Sequence, residues 1–109
     1  MKEWKDMTKL EKTLLAYKSY KGQRPYTTIT EEQYIKLTKR CPICNATFYI
    51  QIHHIDFNPH NDNPNNVIGL CLKCHHFAEN KKFKGMPKDI LIPKLKEHIQ
   101  QYYYIKWLK

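Results

Sequence analysis

The sequence predicts a small α+β domain organised around a metal ion, and three features carry that expectation. Two Cys-x-x-Cys pairs, Cys41-Pro-Ile-Cys44 and Cys71-Leu-Lys-Cys74, stand in the middle of the chain with 26 residues between the inner cysteines. Two short runs of strand character, 47–55 and 67–71, lie beside those pairs, and helix-forming segments flank them on both sides. At 109 residues, a hydrophobic core is a thin source of stability on its own, so a structural ion would supply what the core cannot.

The N-terminal helix is read from Thr8 to Glu11 (TKLE), a capping box followed by Leu10, Leu14, Leu15 and Tyr17 at helical spacing, with Trp4 and Met7 upstream. It should end near Tyr20, because Gly22 and Pro25 break the pattern. A second capping box, Thr30 to Gln33 (TEEQ), opens a short helix through Tyr34, Ile35 and Leu37 that delivers the chain to Cys41. TFYIQIHHI, 47–55, is rich in β-branched and aromatic residues and reads as a strand. DFNPHNDNPNN, 56–66, is a loop on composition, VIGLC, 67–71, a second strand, and KCHHFAENKKF, 73–83, starts a helix at the second cysteine pair. Beyond Pro87, Ile92, Leu95, Ile99 and Tyr102 form a helical stripe running towards Trp107 and Leu108, with Pro93 tolerable only in the first turn.

No repeat, low-complexity tract or Gly/Ser linker divides the chain, which is read as one domain: a basic helical arm over 1–40, a core over 41–83 and a basic helix over 84–109. Residues 1–40 carry 10 Lys/Arg against 5 Asp/Glu, residues 41–80 carry 1 against 3, and residues 81–109 carry 8 against 2. A neutral-to-acidic centre between two basic flanks suits a cation site whose surroundings attract a polyanion, with nucleic acid as the obvious one. The competing reading is a lysine-rich solubilising surface, since 17 of the 19 basic residues are lysine. The charged start of the chain has no apolar signal-peptide core, and no run is apolar enough to span a bilayer. The expectation is a soluble, cytoplasmic protein without a membrane partner.

In a reducing compartment, cysteine spacing reads first as metal chemistry. Two residues between thiolates let a tight knuckle offer both to one tetrahedral ion, and two knuckles close a four-cysteine Zn2+ site over Cys41, Cys44, Cys71 and Cys74. Such a site needs none of the six histidines, yet five of them, His53, His54, His60, His75 and His76, lie between or just after the cysteine pairs. His60 in the Asn/Pro loop and His98 on the last helix fit an ordinary surface role, which is also the default for His76. His53, His54 and His75 cluster around a second centre.

The run from Cys41 to Asn80, in particular IHHI and NNVIGLCLKCHH, resembles the HNH endonucleases, whose ββα-metal fold holds a divalent ion between a two-stranded ribbon and a helix. The resemblance covers about forty residues, with the family's elements in the family's order: a CxxC, a His pair ending a strand, an Asn before the second strand, then CxxCH. It implies that His54 is the general base, that His53 and His75 bind a catalytic divalent ion, and that Asn66 fixes the loop behind the base. Neutral imidazole is the side chain best suited to take a proton from attacking water near neutral pH. Position 53 carries a carboxylate in many relatives. A histidine there is a softer ligand, so Co2+ or Ni2+ would serve beside Mg2+ or Mn2+, and excess Zn2+ would inhibit. DNPNN also replaces the Gly-Gly that some relatives show before the Asn. Glu79, one turn after His75, is either an extra ligand or a solvated surface residue.

An ideal strand points His53 and His54 to opposite faces, so the strand must end, twist or bulge at this pair for both to serve one site. Lys73, Lys81, Lys82, Lys84 and Lys88, on and after the cysteine-proximal helix, are the candidate phosphate contacts. Packing against the first helix, with Trp4, Leu14 and Tyr17, is the expected use of most aromatics among Tyr102, Tyr103, Tyr104 and Trp107. The resemblance implies hydrolysis of DNA phosphodiester bonds, most simply in double-stranded DNA, leaving 5′-phosphate and 3′-hydroxyl ends. A non-catalytic zinc module that binds nucleic acid or protein is the alternative class, and an RNA or structure-specific nuclease the alternative within enzymes. A homodimer and a phage or restriction partner protein both remain compatible with the flanks.

Overall fold

The structure, a computed structural model, describes residues 3–108, with side chains to residue 106. It has four helices and one two-stranded antiparallel sheet: α1 Lys9–Gln23, α2 Glu31–Leu37, β1 Ile50–His54, β2 Val67–Cys71, α3 Leu72–Ala78 and α4 Lys88–Leu108. Both expected capping boxes form: Thr8 accepts from the Glu11 amide while Glu11 bonds back to the Thr8 amide, and Thr30 and Gln33 do the same for α2. These reciprocal bonds satisfy amides that a helix start otherwise leaves without partners. α1 runs past Gly22 to Gln23, further than the sequence suggested, and a Cβ at Gly22 would meet nothing within 4 Å.

β1 is shorter than the expected 47–55. Tyr49 has φ +57°, a left-handed conformation incompatible with a strand, so pairing begins at Ile50. The register sets Ile50 opposite Cys71 and His54 opposite Val67, and β1 ends at the histidine pair. The connection is built from Asn and Asp: the amides of Asn58, His60, Asn63 and Asn65 donate to the side chains of Asp56, Asn58, Asn61 and Asn63, each two residues back. Such Asx turns let a polar loop satisfy its own backbone.

Every residue of β2 is buried, because the hairpin is covered on both faces. On one side Val67 packs with Tyr17, Ile29 and Tyr34, where α1 and α2 meet. On the other, Ile68 and Leu70 join Ala78, Phe83, Leu91, Leu95 and Ile99 from α3, the turn after it and α4. Gly69 permits the first packing: a Cβ there would stand 1.8 Å from the Leu37 carbonyl oxygen at the end of α2.

The buried stripe of α4 is Leu91, Leu95 and Ile99, with Ile92 only half-buried and Tyr102 exposed. Pro93 is the sixth residue of α4, in its second turn, where it removes the N–H that would bond the Asp89 carbonyl. Tyr102 and Tyr103 meet Phe77 of α3 rather than taking up the expected place on the first helix, and Trp4, Leu10 and Leu15 are exposed. The side chains of Trp107 and Leu108 lie outside the described residues. No described helix is long and apolar enough to cross a membrane.

Candidate metal and histidine centres

Cys41 and Cys44 sit in a turn before β1, closed by bonds from the Asn45 amide to the Cys41 carbonyl (2.9 Å) and from the Cys41 amide to the Ala46 carbonyl (2.8 Å). Asn45 takes the left-handed conformation (φ +63°) that the turn requires and that Asn tolerates. Cys71 ends β2 and caps α3, and Cys74 follows three residues later on the same helical face. The four sulfurs all lie within 4.8 Å of one another, with 3.5 Å between those of Cys44 and Cys71. A tetrahedral Zn2+ with bonds near 2.3 Å needs sulfurs about 3.8 Å apart, so this cluster fits the ion. Cys44 is exposed and the other three are buried. Burial raises the Cys74 thiol, so loading an ion must release protons.

The second centre lies on the α3 side of the hairpin. His53, buried, faces His75 of α3 with 4.9 Å between ring centroids. Burial, with His75 and His54 nearby, brings His53 down to about 4, and burial lowers His75 as well. Both rings are therefore neutral near pH 7, the state a metal requires of imidazole. His75 Nδ1 is 2.7 Å from Gln51 Oε1, an acceptor, which leaves its Nε2 with the lone pair, 3.6 Å from Glu79 Oε1. A ring nitrogen held by an amide oxygen while the other is free is how ligating histidines are oriented. Among the described residues, the four cysteines are nevertheless the only group of three or more His, Cys, Asp or Glu close enough to share an ion. The second centre offers a pair.

His54 turns the other way. Its Nε2 is 2.7 Å from Asp62 Oδ1, and both side chains are nearly enclosed. Asp62 is fixed from the α1–α2 connection, its Oδ2 accepting from Thr27 Oγ1 (2.7 Å) and the Thr28 amide (2.8 Å). Burial alone would raise the Asp62 carboxyl; the bonds from His54, Thr27 and Thr28 outweigh it and hold it below its ordinary value. Neither Asp62 nor Gln51 stood out in the sequence, since each is one polar residue in a polar or alternating run.

Asn66 spans the loop. Its Oδ1 accepts from the Asp56 amide (2.9 Å), and its Nδ2 donates to Asp56 Oδ1 (2.9 Å) and the Asn61 carbonyl (2.8 Å). The Asn66 carbonyl accepts from the Ile55 amide at 2.7 Å, directly behind the histidine pair. Of the five lysines, Lys84 lies over the Phe57 ring, which in turn meets His53 edge-on. Lys73 sits over Tyr103, Lys81 is exposed after α3, and Lys82 Nζ is 2.7 Å from His98 Nδ1. Lys88 is half-buried beside a hollow it shares with Asp62 and Val67, on the face opposite the His53–His75 pair.

Compared with protein-family models, curated proteins and solved structures, the chain matches none.

Proposed function

We propose that the chain is a zinc-stabilised, metal-dependent endonuclease of the HNH, ββα-metal type, acting on DNA. The observation that carries this reading is the facing His53–His75 pair, with His75 oriented by Gln51. A binding module stabilised by four cysteines has no use for a buried and a half-buried imidazole facing each other across a strand and a helix.

In this reading His54 is the general base: its Nε2–H donates a hydrogen bond to Asp62 and leaves Nδ1 to accept a proton from attacking water. Because the ring faces away from the His53–His75 pair, the end of β1 must turn for base and ion to meet at one phosphate. The Asp62 carboxylate holds the ring's orientation and stabilises the imidazolium that forms. Asn66 fixes the loop on which His54 ends, so the base keeps its position as charge develops. His53 and His75 would hold a divalent ion, Mg2+ or Mn2+, whose Lewis acidity supplies charge stabilisation at the phosphoryl group. Lys84, over the Phe57 ring beside His53, would hold a neighbouring phosphate without reading sequence.

Supercoiled plasmid incubated with zinc-loaded protein and Mg2+ or Mn2+ tests the reading, with His54→Ala protein and an EDTA arm as controls. The wild type is expected to nick or linearise the plasmid and both controls to leave it intact. Zinc-loaded protein that shifts DNA in a gel but leaves it uncut with every divalent metal would overturn the nuclease reading in favour of the zinc module.

A further inference from the structure

Between α1 and the start of β1 runs a groove in two parts, of about 460 Å3 and 300 Å3, which share Ala16, Tyr34 and Ile50 along their common wall. Its inner end reaches His75 and Gln51, the outer edge of the histidine centre. Lys9 and Lys12 line the outer part and Arg24 the inner part, and among the described residues no carboxylate lines either. Lys12 Nζ stands 5.0 Å from the Trp4 ring centroid and Arg24 lies over Tyr20.

The outer end presents three aromatic side chains to solvent: Trp4 is 61%, Phe48 73% and Tyr49 79% exposed. For Tyr49 the exposure is built into the backbone. Tyr49 adopts a left-handed φ that costs a non-glycine residue on the order of 1 kcal/mol, and this conformation delays strand pairing until Ile50. A carboxylate-free, cationic channel with exposed rings at its mouth combines the two devices that hold unpaired nucleic acid: backbone attraction and base stacking. The 15 residues of α1 beside it span about 22 Å, room for on the order of four nucleotides.

We propose that this groove binds an unpaired nucleic-acid strand, stacking its bases on Trp4, Phe48 and Tyr49 and setting its phosphates against Lys9, Lys12 and Arg24 on the way to His75. The proposal rests on the nuclease reading for its destination, and it makes the substrate one that is single-stranded on one side of the scissile phosphate. Duplex DNA presents its base faces already stacked, so the exposed rings have nothing to gain from it.

Strand binding is measurable without cleavage. Zinc-loaded Trp107→Phe protein, which keeps Trp4 as its one tryptophan, is titrated with short oligo(dT), oligo(U) and a blunt duplex, with no Mg2+ or Mn2+ added. A single strand is expected to quench Trp4 fluorescence and to bind roughly tenfold or more tightly than the duplex. By anisotropy of the labelled strand, Trp4→Ala/Phe48→Ala/Tyr49→Ala protein should lose tenfold or more in affinity, while Tyr104→Ala, an exposed ring on α4, should lose none. The dT and U arms separate DNA from RNA within the proposal. Absence of quenching, unchanged affinity in the triple variant, or a duplex bound as tightly as the single strand overturns it. With Mg2+ or Mn2+ added, failure to cut a duplex with a single-stranded tail while strand binding is intact would sink the nuclease reading alone, and cleavage of that substrate by a protein indifferent to the triple substitution would sink the groove alone.

Discussion

Asp62 is the residue on which the proposed chemistry turns. It takes His54 Nε2 with one oxygen and two donors from the α1–α2 connection with the other, so it transmits the placement of the helical layer to the imidazole. Asp62→Asn should keep the shape while weakening control of the tautomer, lowering plasmid-cleavage kcat by roughly tenfold to a hundredfold with KM little changed. Steady-state kinetics on zinc-loaded protein check this; a raised KM with full kcat would instead make Asp62 a loop brace. The four-cysteine cluster was legible from spacing alone, because CxxC geometry is local. Asp62 was not, because its partners Thr27 and Thr28 lie some thirty-five positions away and no periodicity encodes that meeting. His54 shows the same limit: the expectation was a strand that ends, twists or bulges so that both histidines serve one site, yet pairing runs regularly through His54 and its ring meets Asp62 on the other face.

At the scale of elements, Gly69 in the middle of β2 and Gly22 near the end of α1 predict opposite outcomes. Gly69→Ala would drive a methyl into the Leu37 carbonyl; backbone cannot yield as a side chain does, so the loss should be about 1–3 kcal/mol or more. Gly22→Ala, near the end of α1 with open space around it, should stabilise by about 0.5–1 kcal/mol. Thermal unfolding of the two zinc-loaded variants should move the midpoint down for the first and up for the second. Helix starts were readable because Thr8 to Glu11 and Thr30 to Gln33 are self-contained hydrogen-bond motifs. Helix and strand extents were less so. A glycine followed by Pro25 looked like a stop, yet α1 passes through Gly22; TFY looked like strand, yet the left-handed Tyr49 holds it out. The C-terminal aromatics were expected on the first helix, but Tyr102 and Tyr103 meet Phe77 of α3, and α1 packs through Tyr17 and Tyr20 while Leu10 and Leu15 stay exposed.

For the whole molecule, the four thiols join the turn before β1 to the junction of β2 and α3, closing the hairpin at its open end. Removing the ion should therefore cost more than local order, on the order of 10 kcal/mol for a site of this type. Treatment with a strong chelator is expected to abolish most helical circular dichroism, and re-addition of one equivalent of Zn2+ to restore it; retention of the full signal in metal-free protein would show that the core suffices. Exposed Cys44 is the edge from which a chelator reaches the site.

β2 has a wider consequence. It is buried along its whole length between two small hydrophobic clusters, one under α1 and α2 and the other under α3 and α4. Neither cluster can lose this strand while the other keeps it, so the two halves share a single wall. A chain with two modest cores would ordinarily come apart in stages; here the partition makes them partners in one cooperative transition, and damage to either is felt by both.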